Sequence, residues 1–282
     1  MIMLGENRYG KSRVRVMKVE RQAERHTVHE WNVEVWLKGD FKSCFEDGDN
    51  SRILPTDTMK NTVYYLARLS KATDIEGFAM ELVTYLLENN TQVTEAGANI
   101  AARLWGPLVS GGQLHGTAFI QVGDARETTT VTGKRGGTVS VASGFRDLSI
   151  MKTAKSGFAG YIKDKLTTLK ETHDRLLGTL ASGEWQYSAE GVDYKAARRR
   201  ISDGLLSAFA THDSLSVQQT LYAMAKAALE AEQGIGEIHL SMPNKHCNLV
   251  DLSAFGLDNP NHIFVPIDEP HGSIEATVRR AG

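Results

Sequence analysis

The side chains of this sequence whose types and settings could do chemistry fall in four short segments. The first carries Lys11, in Asn7-Arg8-Tyr9-Gly10-Lys11. From position alone it reads as a solvated charge near a terminus. The functional alternative is a lysine drawn into a pocket, where burial lowers its pKa and lets it act as a base. The second segment carries Thr56 and Asp57 ahead of an apolar helical run, where both read as N-cap residues. A helix N-terminus also offers free N–H groups and a positive dipole end to an anion, so the two readings are compatible. The third runs from Phe158 through Asp174 and Arg175. On a loop, an Arg–Asp pair is mostly solvation; in a cleft, the same arginine could bind a planar anion with two prongs. Phe158 is either core or a platform for a flat ring. The fourth is Met242 to Cys247. Adjacent His246 and Cys247 would point to opposite faces of a strand, which argues against a thiol nucleophile with its base. Asn244 and His246 are two apart, so a strand would place both on one side.

Elements that could position these groups follow from periodicity. Residues 13–19 alternate, with Val14 and Val16 on one side and Arg13 and Arg15 on the other, and 31–37 repeat the pattern. The period then becomes helical at Met59, Val63, Leu66 and Ala67, and again at Phe78, Leu82 and Leu86, where Asp74 is placed to cap. Strands are expected near 92–104 and 114–122, with a Gly- and Thr-rich connector over 123–137. The order then recurs. Strands are expected over 138–151 and from 184, helices over 194–209 and 214–232, and closing strands at 235–242 and 248–252, with an insertion over 158–178. Two ββααββ halves imply two α+β domains, 1–135 and 136–282, each a sheet with helices on one face. Their long sheet edges call for an oligomer.

Composition narrows the function. The chain has 282 residues and is 41% hydrophobic, enough for a sizeable core. Its net charge of -2 gives no global attraction to nucleic acid or membrane. The run Arg198-Arg199-Arg200 near Lys195 reads as a solvated helix face. Two isolated cysteines, Cys44 and Cys247, form no disulfide framework. No apolar run approaches a membrane span, the first residues do not read as a signal peptide, and the last do not read as a peroxisomal address, so a cytoplasmic location is expected. There is no phosphate loop, dinucleotide fingerprint or zinc motif, and the spacing of His26 and His29 does not suit a shared strand face.

Taken together, the segments resemble the uricase family almost end to end. The likeness rests on Tyr9-Gly10-Lys11 before a Val-rich strand, on 56–64 (TDTMKNTVY), and on 167–172 (TTLKET) leading to Asp174-Arg175. It continues through 216–220 (SVQQT), 240–246 (LSMPNKH) and 258–261 (DNPN), the last as in bacterial members. The resemblance implies the tunnelling fold: two tandem ββααββ domains with antiparallel sheets, joined across subunits into a barrel. It also implies a homotetramer with active sites at subunit interfaces. The implied reaction converts urate, dioxygen and water to 5-hydroxyisourate and hydrogen peroxide without metal or organic cofactor. Carried over by position, Lys11, Thr56 and His246 resemble the catalytic relay. Arg175 and Gln218 resemble the in-plane clamp on urate, and Phe158 the stacking residue. Backbone groups of Asp57 and Val217 resemble further contacts, and Asn244 with Thr56 would border the small cavity for dioxygen or water. Pro55 departs from the family, which carries a small residue there. Two other functions remain open at this point: a pterin-type enzyme of the same fold, and a purine-binding oligomer without catalysis.

Overall fold

The computed structural model describes residues 2–188 and 191–281. Met1 and Gly282, the outer ends of the two expected domains, lie outside them. The chain divides into two compact units, Met1–Phe145 and Arg146–Gly282.

In the first unit, β1 (Tyr9–Glu20), β2 (Thr27–Gly39), β3 (Val93–Ser110) and β4 (Gln113–Lys134) form an antiparallel sheet in that order. β5 (Val139–Lys152) begins beside β4 and carries the chain into the second unit. Between β2 and β3 come a short helix α1 (Lys42–Asp47), absent from the expected pattern, and two longer ones, α2 (Thr56–Leu69) and α3 (Ile75–Glu88). One sheet face carries Val14, Val33, Val35, Leu37, Ala96 and Ala98, all buried. Met59 and Val63 of α2 and Phe78, Leu82 and Leu86 of α3 are buried too, and Trp31 stacks on Phe78 at 4.8 Å. On the other face, Glu30 is buried and accepts from Arg15 Nη2 at 2.8 Å and Trp105 Nε1 at 3.1 Å, with Arg103 Nε 3.6 Å away.

Most of the expected connector over 123–137 is strand, up to Lys134. β4 runs unbroken through Gly123 to Lys134, and its residues 126–134 pair with β3 from Arg103 back to Glu95. Thr128, Thr129, Thr130 and Thr132 are β-branched and suit a pleated surface, so the polar composition concealed strand propensity. Gly123, with φ +64°, sits where the register shifts. The β3–β4 hairpin turns through Gly111 and Gly112, both at positive φ, as a two-residue hairpin turn requires.

In the second unit, β6 (Leu177–Tyr187) precedes α4 (Tyr194–Thr211) and α5 (Val217–Ala231), followed by β7 (Ile235–Ser241), β8 (Asn244–Leu249), β9 (Phe264–Gly272) and β10 (Glu275–Arg279). β7 lies between β6 and β10. The expected closing strand at 248–252 is therefore misplaced. β8 ends at Leu249 and pairs with β6 and β9, while β10, far down the chain, closes against β7. Pro243, which has no N–H for a ladder, stands at the departure point between β7 and β8. The core gathers Ala181 and Trp185 from β6, Ile201 and Leu205 from α4, and Leu221 and Met224 from α5, all buried. The Arg198–Arg200 run is not a simple solvated face. Arg198 is buried with its guanidinium 5.7 Å from the Trp185 ring centroid, and Arg200 Nε donates to Glu232 at 2.9 Å. Among the described residues, no helix is long and apolar enough to cross a membrane.

Candidate active site

Lys11 owes its setting to three neighbours. Gly10 lies against β2 so closely that a Cβ would come 2.1 Å from the Val35 carbonyl oxygen, which explains a glycine at this place. Tyr9 ties the strand to the approach of α2: its hydroxyl donates to the Leu54 carbonyl at 3.2 Å and accepts from the Leu54 N–H at 2.8 Å. Burial pushes the Tyr9 phenol up, partly offset by its bond to the Leu54 backbone. At the other end of β1, Lys18 Nζ donates to the Ser70 carbonyl at the end of α2, at 2.9 Å. Strand and helix therefore run side by side in the same direction. Their starts meet, and Lys11 comes to the N-terminus of α2.

Neither Thr56 nor Asp57 caps that helix, contrary to expectation. Pro55 is the N-cap residue, and no side-chain capping bond forms among the described residues. The proline ring presets φ for the entry, and the Tyr9 bonds fix Leu54 before it, so no polar cap is needed to set the chain's direction. The Thr56 hydroxyl is exposed and bonds to no described residue, and a helix start leaves its first N–H groups without intrahelical partners. Asp57 binds Lys60 and Asn61. The Lys60 ammonium holds its carboxyl below the ordinary range, and the nearby charge of Lys11 adds to this. The Lys11 ammonium itself makes no ion pair or hydrogen bond with described residues.

In the second unit, backbone ties assemble the expected binding residues. Gly157 N donates to Ser214 O at 2.8 Å, beside the start of α5. Phe158 N donates to Thr172 O at 2.7 Å, and Thr172 N returns the bond to Phe158 O at 3.1 Å. Arg175 N donates to Ser156 O at 2.9 Å. Phe158 stacks on Tyr161 with centroids 4.9 Å apart and planes at 14°, and the Arg175 guanidinium stands 5.4 Å from the Phe158 centroid. Arg175 is half-buried, its Nε has no partner, and no described carboxylate, Asp174 included, pairs with it. Burial alone lowers its pKa.

At the start of α5, the Ser216 hydroxyl accepts from Gln219 N at 3.1 Å, and Gln219 Oε1 accepts from Leu215 N at 2.9 Å. This near capping box occupies Gln219 and leaves Gln218 exposed, with Val217 buried beneath the first turn. Asn244 is buried, paired across β6 with Thr179, and His246 lies half-buried two residues on, opposite Ile267 of β9. Phe158 also lines a cleft of about 410 Å³ with Lys155, Gly157, His173, Ser214 and Leu215. Arg175 and Gln218 are not among the residues lining it.

Among the described residues, a half-buried guanidinium without an acidic partner stands beside an aromatic platform, and an unpaired lysine stands at a helix start without a side-chain cap. The uricase family pattern matches residues 7–132 and 141–275. The chain belongs to the uricase family. It is 41% identical to the uricase of Arthrobacter globiformis over 283 residues, covering 100% of this chain and 91% of that one. It is 36% identical to the uricase of Dictyostelium discoideum, covering 100% and 99%. The crystal structure of uricase from Arthrobacter globiformis is similar with a TM-score of 0.93 at 39% identity, covering 100% of this chain and 96% of that one. The α+β tunnelling-fold class expected from the sequence holds.

Within this chain, the structure brings Lys11, Thr56 and Asp57 together in the first unit, and Phe158 and Arg175 together beside the segment leading to Val217 and Gln218 in the second. Asn244 and His246 share β8. Sequence reasoning missed Tyr9, Tyr161 and the Ser216–Gln219 pair as supports. Only the last had a local signal, a Ser three residues ahead of a Gln at a helix start.

Proposed function

We propose that this chain oxidises urate with dioxygen and water to 5-hydroxyisourate and hydrogen peroxide, and that Lys11, Thr56, Asp57, Phe158, Arg175, Val217, Gln218, Asn244 and His246 do the work. The observation that carries the reading is Arg175: half-buried, its Nε without a partner and its guanidinium without a carboxylate among the described residues, beside the stacked Phe158 ring. Such a guanidinium calls for an anion, and the aromatic platform calls for a flat one. Urate is both. Arg175 and Gln218 hold it in plane, and Phe158, backed by Tyr161, carries its ring. The N–H groups of Val217 and Asp57, each in a first helical turn, supply further donors.

The chemistry then asks for proton transfer. Urate is electron-rich and reduces dioxygen once further deprotonated. The protein holds the anion, keeps dioxygen over its face and moves protons. Lys11 takes a proton through the Thr56 hydroxyl, His246 completes the path, and Asn244 with Thr56 borders the space for dioxygen and then water. Dioxygen takes two electrons and two protons to become hydrogen peroxide, and water supplies the hydroxyl added to the ring. The site needs both units' residues, and a homotetramer supplies the Lys11 set of one chain to the Arg175 set of another. A cytoplasmic location fits the composition. The experiment is a urate assay on chelator-dialysed protein, following loss of urate absorbance and formation of peroxide. Equal consumption and production, unchanged by the chelator, supports the reading. Activity that vanishes and returns only on adding a metal refutes it.

A further inference from the structure

We infer that Arg13 is a positioning residue for Lys11: a bulge built on its left-handed backbone sets the face of β1 from which the lysine projects. This rests on the role proposed for Lys11. By plain alternation, Lys11 would share a side with Arg13 and Arg15, opposite Val14 and Val16. The observed pairing differs. Val14 lies opposite Val33 and Lys11 opposite Val35, so Ser12 and Arg13 together face Glu34 alone. Val33 and Val35 are two apart on β2 and share the buried face. Lys11 therefore joins Val14 and Val16 on the side that α2 covers. One extra residue has reversed the side of everything before it.

The device has two parts. Arg13 has φ +59°, a region that residues with a Cβ avoid. Its side chain is exposed and makes no hydrogen bond or ion pair with described residues, so its contribution is its backbone. Ser12 pins the bulge by donating from Oγ to Glu34 Oε1 at 3.1 Å, and Asn99 Nδ2 holds the other Glu34 oxygen at 3.3 Å. The second unit shows the same backbone feature. Asp147 has φ +60° and lies five residues before Lys152, as Arg13 lies five before Lys18. Both lysines bond the carbonyl that ends the following helix, at Ser70 and at His212. The left-handed residue thus belongs to both halves. Two residues before the left-handed position, the chain carries Phe145 in one case and Lys11 in the other.

Four variants test this by kcat, its pH profile and binding of a non-oxidisable urate analogue. Arg13→Gly takes positive φ without strain and keeps kcat within about twofold. Arg13→Ile favours regular pairing, turns Lys11 to the wrong side, and lowers kcat about tenfold or more while analogue affinity changes less than about threefold. Deleting Arg13 removes the bulge but leaves Lys11 two places before Val14, so a regular strand keeps it on its face and kcat stays within about fivefold. Lys11→Met is the reference. If it is inactive while Arg13→Ile turns over normally, the inference is overturned and the role of Lys11 stands. If Lys11→Met is fully active, that role itself fails. Should Arg13→Ile not fold, the deletion decides: a folded deletion variant as inactive as Lys11→Met overturns the positioning role.

Discussion

Arg135 and Arg280 make the same three hydrogen bonds, one in each half of the chain. Arg135 Nε donates to Val93 O at 2.8 Å, and its Nη2 to Leu87 O and Asn90 O, each at 2.6 Å. Arg280 Nε donates to Ile235 O at 3.0 Å, and its Nη2 to Leu229 O and to Glu232 O, the latter at 3.0 Å. The acceptors stand at 87, 90 and 93 in one half and at 229, 232 and 235 in the other. Each arginine satisfies carbonyls at the end of the second long helix and the start of the strand that follows. Removing either takes three donated hydrogen bonds from these carbonyls. Arg135→Ala and Arg280→Ala should each cost about 1.5–3 kcal/mol. A lower urea midpoint with kcat unchanged is the expected result, and a midpoint equal to wild type would deny the arginines this role.

Arg175 and Lys11 should separate in kinetics. If Arg175 clamps urate as proposed, Arg175→Ala removes a charge-assisted contact worth about 1.5–3 kcal/mol, and affinity for a urate analogue should fall at least tenfold or so. Lys11→Met and Thr56→Ala should lower kcat while the analogue still binds. Titration of the analogue against each variant checks this. Equal loss of binding in all three would dissolve the division between clamp and relay.

Ser216 caps α5, whose first turn carries Gln218, the residue proposed to bind urate. Ser216→Ala removes the Gln219 N–H acceptor and should cost about 1 kcal/mol of stability. It also frees the turn that presents Gln218, so KM for urate should rise more than kcat falls. Thermal unfolding and steady-state kinetics measure the two effects; a stability loss with KM untouched would show that the cap does not position Gln218.

Glu30 should govern part of the acid sensitivity. Burial raises its pKa, but hydrogen bonds from Arg15 and Trp105 and the charge of Arg103 outweigh that and hold it below the ordinary value. A depressed carboxylate contributes stability above its unfolded pKa and loses it as pH falls through the folded one. Stability of the wild-type protein should therefore fall on acidification below about pH 4. Glu30→Gln should be less stable at neutral pH and show a shallower acid limb in urea titrations. Parallel limbs for the two proteins would contradict the assignment.

Much of this was legible before any coordinates. The helix starts at Asp74 and Tyr194 and the alternation at Val14 and Val16 follow local rules, and the structure keeps them. Three things were hidden, each for a non-local reason. The face of Lys11 depends on a bulge, and alternation without it gives the opposite answer. Residues 126–134 look like a polar linker, yet they complete a ladder with β3. The partner of β7 lies beyond an excursion through β8 and β9 that no local pattern signals. The site divides in the same way. The residues proposed for it come from resemblance, whereas their supports, Tyr9 on Leu54 and Tyr161 on Phe158, bring together groups whose sequence patterns give no hint of it.

The central claim is that one urate site takes Lys11, Thr56 and Asp57 from one chain and Phe158, Arg175, Gln218, Asn244 and His246 from another. Refolding a Lys11→Met protein together with an Arg175→Ala protein tests it. In mixed oligomers, some interfaces join the intact first half of one chain to the intact second half of the other. Activity should then recover well above the sum of the two parents. If a mass tag shows that mixed oligomers form and activity stays at the level of the parents, each site lies within a single chain and the claim is wrong.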